Sequence, residues 1–139
     1  MKDSTPTADL DIDAIEDLTS AEYELRHPVT GEPTGAFITI AGPEHPERKR
    51  IRQALINRAR AAAMAANGQP QPYDAEKEFK ESCDLLVRIT QGWRGIRKDG
   101  KPLEFSAQAA QELYSDPKRQ WIARQLNEAM NRQELFIKA

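Results

Sequence analysis

Clusters of proline and glycine divide this chain into short segments, and this division limits its fold more than any other feature. The main clusters are HPVTGEPTG at 27–35, GPEHP at 42–46 and NGQPQP at 67–72, and Asp116-Pro117 marks a further break. Proline lacks a backbone donor and glycine accepts positive φ, so such clusters end helices and strands. These clusters therefore mark boundaries between helices and strands.

Two segments near the N-terminus have the composition of strands. In residues 21–26, Tyr23 and Leu25 alternate with charged residues, and residues 36–40 form a run rich in β-branched side chains. The turn-rich stretch between them predicts a β-hairpin with a long loop. A lone hairpin is marginal in water, so we expect it to pack on helices, gain another strand or pair with a partner.

Two longer segments have apolar residues at helical spacing. The first runs from about residue 45 to residue 66, and NGQPQP ends it. The second covers residues 75–91, with Gly92 as its cap. The positions at helical spacing are Phe79, Cys83, Leu86 and Ile89 in the second helix, and Ile51, Leu55, Arg58 and Ala62 in the first, where Ile56, Ala59 and Ala63 widen the apolar stripe.

Capping residues predict two more helices in the C-terminal part. Ser106 is a suitable N-cap for a helix over 107–114. Asp116 and Pro117 suit the N-cap and first position of a last helix. Before them, Asp99-Gly100 predicts a turn, followed by a short extended piece at 103–105. The expected inner face of the last helix is Trp121, Ile122, Leu126, Ala129 and Met130.

The predicted fold is mainly α, with about four helices, one N-terminal β-hairpin and an acidic N-terminal arm. A chain of 139 residues has the usual size of one domain. We expect residues 1–20 to form a weakly structured arm, because Leu10, Ile12, Ile15 and Leu18 are interleaved with acids and bury too little surface to offset ordering. Residues 21–139 are expected to form a single, mainly helical domain.

The formal net charge of −2 hides a strong asymmetry along the chain. Residues 1–24 contain eight acidic residues and one lysine, whereas residues 44–66 contain six basic and two acidic residues. One interpretation is a solvated arm and a solvated helix face. The other is that the arm folds onto the basic helix when no partner is present.

No motif predicts catalysis, a cofactor or a metal site. The chain has no phosphate-binding loop, dinucleotide fingerprint or nucleophile elbow. His27 and His45 lie beside prolines and lack Cys or carboxylate partners at ligand spacing. Cys83, the one cysteine, is expected to be a small core residue. No apolar run approaches the roughly 20 residues of a membrane span, so we expect no membrane partner.

The basic residues of the first helix raise the question of nucleic acid. They are Arg48, Lys49, Arg50, Arg52, Arg58 and Arg60. Aromatic residues for base stacking do not interleave with them, and no second short helix follows at the spacing of a helix-turn-helix. We expect solvated or partner-facing charges here, and not a specific nucleic-acid partner.

An ordered set of short motifs resembles the tail assembly chaperones of long-tailed, siphovirus-like bacteriophages. The motifs are HPVTGEP, ITIAGPEHPE before the basic helix, the GWRG loop, DGKPLEFS and DPKRQWI, and they cover most of residues 23–132. The resemblance implies a chaperone that binds tape measure and tail tube proteins during tail assembly, without catalysis. It also implies a protein of the host cytoplasm that is absent from the finished virion.

Partner binding is expected on the hairpin and the helix that follows it, because hairpin edges are available for strand addition and for self-association. Two other functions remain open: a structural virion component such as a neck or tail-completion protein, and a small nucleic-acid-binding regulator. The residues expected to bind a partner are Tyr23, Leu25, Phe37, Ile38, Ile40, Arg48 and Arg52.

Overall fold

The computed structural model describes residues 9–70 and 72–138. In chain order the strands and helices are β1 (Glu16–Asp17), β2 (Ser20–Arg26), β3 (Pro33–Ala41), α1 (Pro46–Ala66), α2 (Ala75–Ile89), β4 (Thr90–Arg94), β5 (Arg97–Lys98), β6 (Lys101–Pro102), α3 (Ala107–Ser115), α4 (Gln120–Met130) and β7 (Ile137–Lys138). The described residues form four helices, in agreement with the expected number. The fold is nevertheless mixed α/β, at 49% helix and 22% strand.

A three-stranded antiparallel sheet in the order β2-β3-β4 forms one side of the core. The predicted hairpin is confirmed as β2 and β3, but β4 pairs with the other edge of β3. The prediction that α2 continues to residue 91 was therefore wrong, and Gly92 lies in a strand instead of capping a helix. Thr90 ends the helix with extended backbone angles, while its hydroxyl donates to the Leu86 carbonyl at 2.6 Å.

The core lies where α2, α3 and α4 cover one face of this sheet. Cys83, Leu86 and Ile89 of α2 are buried as predicted, whereas Phe79, one turn earlier, is exposed. In the last helix Ile122, Leu126 and Ala129 are buried, and Trp121 and Met130 are half-buried against them. Other buried side chains of the core are Ile38 and Ile40 from β3, Tyr114 from α3 and Phe136 near the C-terminus.

Local capping decides where the C-terminal helices begin. Ser106 caps α3 as predicted, since its hydroxyl accepts from the Ala109 N–H at 3.0 Å. The prediction that Asp116 caps α4 was wrong, because α4 begins three residues after Pro117 at Gln120. Asp116 instead closes a turn, where its carboxylate accepts from the Lys118 N–H at 2.9 Å and pairs with Arg119.

The predicted Asp99-Gly100 turn is confirmed, and both residues have positive φ, 54° and 75°. This is the geometry of a tight hairpin turn. The turn joins β5 to β6. The extended piece expected at 103–105 is not a strand. The residues that pair are those directly beside the turn, Arg97–Lys98 with Lys101–Pro102.

The N- and C-terminal segments meet in a small antiparallel pair, β1 with β7. The Leu18 N–H donates to the Phe136 carbonyl at 2.7 Å, and Phe136 is buried. The predicted arm, residues 1–20, thus includes β1 and the first residue of β2. Its residues 1–8 lie outside the described part of the chain.

Candidate interaction surface

Most of helix α1 lies on the surface of the protein. All of its residues are described, and Ile51 alone among them is buried. Leu55 and Ile56, which belong to its apolar stripe, are 45% and 41% exposed, and Met64 near its end is exposed too. The sequence correctly placed this helix at 46–66, but its apolar stripe covers the core only at the first turns.

Contacts at its N-terminus hold α1 to the rest of the protein. His45 caps the helix, because its Nδ1 accepts from the Glu47 N–H at 3.0 Å. The Glu47 carboxylate accepts from Arg50 at 2.6 Å and from Arg88 of α2 at 2.9 Å. These hydrogen bonds lower the pKa of Glu47 below its ordinary value, with Arg50 the larger cause. Glu47 therefore ties the first turn of α1 to the last turn of α2.

Beyond this tie an open groove of about 570 Å³ separates α1 from α2. We call it the α1–α2 groove. Arg58 and Glu81, whose side chains approach to 3.5 Å, join the two helices across it. Its apolar lining comes from Ile51, Ala54 and Leu55 of α1 and from Leu85 and Val87 of α2.

Three of the residues expected to bind a partner belong to the core. Leu25, Ile38 and Ile40 are 2%, 0% and 0% exposed, since the face of the sheet that carries them is covered by helices. These side chains hold the sheet in place and are withdrawn from any surface that the hairpin presents. Tyr23 is half-buried, and its hydroxyl donates to Gln125 Oε1 at 3.3 Å. Phe37 is half-buried under the guanidinium of Arg94, 3.9 Å from the ring centroid.

The edges of the hairpin are less available than the sequence indicated. Strand β3 is paired on both sides. On β2, Gln125 of α4 occupies the edge at Arg26: its Oε1 accepts from the Arg26 N–H at 2.9 Å and its Nε2 donates to the Arg26 carbonyl at 2.8 Å. The amide of Gln125 thus satisfies this backbone as a neighbouring strand would.

The two arginines expected at the partner site have different surroundings. Arg48 donates to the carbonyls of Met130 at 3.1 Å and Ala41 at 3.4 Å and lies over the ring of Phe136. Its burial, followed by the charge of Arg52, lowers the pKa of its guanidinium. Arg48 is therefore an anchor for α1. Arg52 is exposed and donates to the Pro43 carbonyl at 3.3 Å.

The other basic side chains of α1 are largely paired with carboxylates. Lys49 lies 3.1 Å from Glu44, and Arg50 and Arg58 pair with Glu47 and Glu81. Exposed pairs of this kind are worth little, but they reduce the positive charge that a phosphate backbone would meet.

Each of the residues considered for metal binding or nucleophilic chemistry, His27, His45 and Cys83, makes a hydrogen bond within the fold. Within residues 9–70 and 72–138, no three His, Cys, Asp or Glu side chains come together as a metal site would require. The Nδ1 of His27 accepts from the N–H of Val29 and of Thr30 and so stabilises the hairpin loop. Burial raises the pKa of the Cys83 thiol, which disfavours the reactive thiolate.

No described helix is both long enough and apolar enough to cross a bilayer.

Comparison of the chain with models of protein families, with curated proteins and with solved structures finds no match. The candidate surface therefore stands on its geometry: an exposed α1, an apolar α1–α2 groove and a mixed-charge rim.

Proposed function

We propose that this protein is a non-catalytic assembly chaperone of a long-tailed bacteriophage. In this proposal it binds tape measure and tail tube proteins in the host cytoplasm while tails assemble, and it is absent from the finished virion. The ordered motifs between residues 23 and 132, which resemble those of tail assembly chaperones, support this class of protein. The exposed apolar surface of α1 and α2 supports binding as its activity, and it is the observation on which the proposal rests.

This surface has the character of a docking site for a helix. Large apolar side chains are exposed on α1, on α2 and on the link between them: Leu55, Ile56, Met64, Tyr73 and Phe79, of which Leu55 lines the α1–α2 groove. Exposed apolar surface beside a groove commonly marks an interaction site. An amphipathic client helix would lay its apolar face along the α1–α2 groove, with polar contacts at the rim. An interface of modest size suits a chaperone that must later release its client.

The α1–α2 groove replaces the hairpin as the preferred client site. Deleting residues 21–40 would remove Leu25, Ile38 and Ile40 from the core, so such a deletion would unfold the protein and report nothing about binding. Point substitutions on exposed helix positions avoid this difficulty.

Coexpression with a tape measure or tail tube protein tests the proposal. We expect the unsubstituted protein to raise the soluble yield of the client, and Leu55→Asp to abolish that gain because a charge enters the groove. Val29→Asp is the matched control, since Val29 is exposed in the hairpin loop far from α1 in sequence. Both variants should keep the thermal melting temperature of the parent.

Two results would contradict this function. A client yield that Leu55→Asp leaves unchanged would remove the groove as the site. Recovery of the protein at stoichiometric amounts from purified particles would identify a structural virion component instead.

A further inference from the structure

We propose that the α1–α2 groove also binds the acidic segment, residues 9–17, of a second copy of this chain. The acidic segment exposes three large apolar side chains, with Leu10, Ile12 and Ile15 at 71%, 75% and 52% exposure. In the same molecule the groove is open. The segment therefore does not cover the groove of its own chain, and each copy carries both halves of an interface. This inference goes beyond the chaperone function, because it requires no client.

The acidic segment is held at one end and locally ordered. Its last residues, Glu16 and Asp17, pair with β7. Before them Asp11 caps a 3-10 turn at Ile12–Ala14, accepting from the Asp13 N–H at 3.0 Å. Ile12 begins this turn, and Ile15 follows it with extended backbone. Because this part of the segment is already ordered in the free protein, less conformational entropy is lost when it docks.

Charge favours this occupant over an uncharged apolar segment. Residues 9–17 contain five acidic residues and no basic one, whereas α1 contains six basic residues and one acidic one. The charged side chains that line the groove are Arg58 and Arg88, which remain 64% and 51% exposed, and the acidic Glu81 and Asp84. The acidic segment can approach the two arginines, and the excess of positive charge along α1 steers its association.

The size of the groove agrees with the size of the segment. An apolar cavity of about 150 Å³ holds a benzene molecule, so about 570 Å³ has room for roughly three to four aliphatic side chains. The acidic segment supplies three, Leu10, Ile12 and Ile15. A client helix would compete for the same groove, so client binding would dissociate the copies.

Sedimentation velocity of the full chain over a range of concentrations tests the proposal. We expect association that weakens by about tenfold between 50 and 500 mM salt, because exposed charges are screened. The segment variant Leu10→Ser/Ile12→Ser and the groove variant Leu55→Asp should each be monomeric. The substituted residues are exposed, so the melting temperatures of the two variants should equal that of the parent protein.

Mixing the two variants gives the sharpest measurement. The segment variant keeps an intact groove and the groove variant keeps an intact acidic segment, so we expect the mixture to associate although neither protein does alone. A mixture that stays monomeric would overturn the proposal.

A labelled peptide of residues 9–18 separates docking between copies from docking within one chain. We expect it to bind the segment variant, to bind the Leu55→Asp protein at least about tenfold more weakly, and to lose affinity when it carries Ile12→Ser. Peptide binding to the segment variant but not to the monomeric parent would show that each chain covers its own groove, and the proposal would be wrong.

Discussion

Tyr114 shows how a single buried polar group becomes part of the core. Its side chain is fully buried, and its hydroxyl lies 2.8 Å from Thr90 Oγ1. Because the Thr90 hydroxyl already donates to the Leu86 carbonyl, Tyr114 is the donor in this pair. Burial raises the pKa of Tyr114 from 10.0 to about 12. The neutral phenol is therefore the form that the folded protein retains.

This shift predicts a loss of stability at alkaline pH. The unfolded chain releases the proton near pH 10 and the folded protein near pH 12, so the contribution is full below pH 10 and is lost as the pH rises towards 12. The loss should approach about 2–3 kcal/mol of the free energy of unfolding. Urea denaturation between pH 9 and 12 measures it. Tyr114→Phe should flatten this part of the pH dependence, and an equal slope in both proteins would contradict the assignment.

Gly95 occupies a position that no other residue fits. Its φ is +78°, and a Cβ placed there would lie 2.3 Å from the backbone oxygen of Gly35. Gly31 is the matched control, since its φ is +74° and the space around it is open. Gly31→Ala should cost about 1 kcal/mol for the backbone conformation, and Gly95→Ala about 1–3 kcal/mol more for the clash. Chemical denaturation of the two variants measures the difference. Equal losses in the free energy of unfolding would show that the backbone near Gly35 moves to make room for the added Cβ.

At the scale of elements, one side chain of α4 protects one edge of the sheet. Gln125 bonds to both the N–H and the carbonyl of Arg26, which a free edge would offer to another chain. We predict that Gln125→Ala lowers the free energy of unfolding by about 1 kcal/mol and increases self-association through β2. Light scattering and denaturation measure the two effects. Arg124→Ala, at the exposed neighbouring position of α4, should change neither. If the Gln125→Ala protein associates no more strongly than the parent, other residues must protect the edge of β2.

The bounds of helix α1 agree with the prediction, but most of its apolar stripe is exposed instead of covering the core. His45 and Asn67 cap its two ends, and Asn67 takes the left-handed conformation common at helix ends. The capping residues act over a few positions, so the sequence predicts the bounds. Which turns are buried depends on the direction in which α1 leaves the sheet, where Arg48 bonds to the carbonyls of Ala41 and Met130 and Glu47 pairs with Arg88 of α2.

At the scale of the whole molecule, Phe136 joins the two ends of the chain to α1. Its ring lies under Arg48, and its carbonyl accepts from the Leu18 N–H. The ring also fills the space beside Gly42, where an added Cβ would lie 2.9 Å from Cδ1. The ring therefore holds residue 136 against the end of β3 and the first turn of α1, and the backbone carbonyl of that residue holds Leu18, which directly follows the acidic segment.

We predict that Phe136→Ala costs about 3–5 kcal/mol and releases the acidic segment. Thermal unfolding measures the first effect, and limited proteolysis near Leu18 measures the second. Removing residues 137–139 should cost less, because it spares the ring. Equal losses from the two changes would place the connection in the β1–β7 pair instead.

The features that depend on neighbouring residues could be predicted from the sequence. The bounds of α1, the Ser106 cap, the Asp99-Gly100 turn and the β2–β3 hairpin follow from caps, turns and alternation within a few positions. For the candidate site, the sequence also revealed a basic helix and an acidic segment, because charge can be counted along the chain. Whether the segment and the helix meet was left open.

Which of these surfaces are exposed depends on contacts between residues that are distant in sequence. Thr90–Arg94 became a strand because β3 offered a free edge, and Arg48 became an anchor because the carbonyls of Ala41 and Met130 meet there. Leu25, Ile38 and Ile40 moved from the expected partner site to the core once helices covered their face of the sheet. The α1–α2 groove arises between residues about 30 positions apart in sequence, for which local periodicity contains no information.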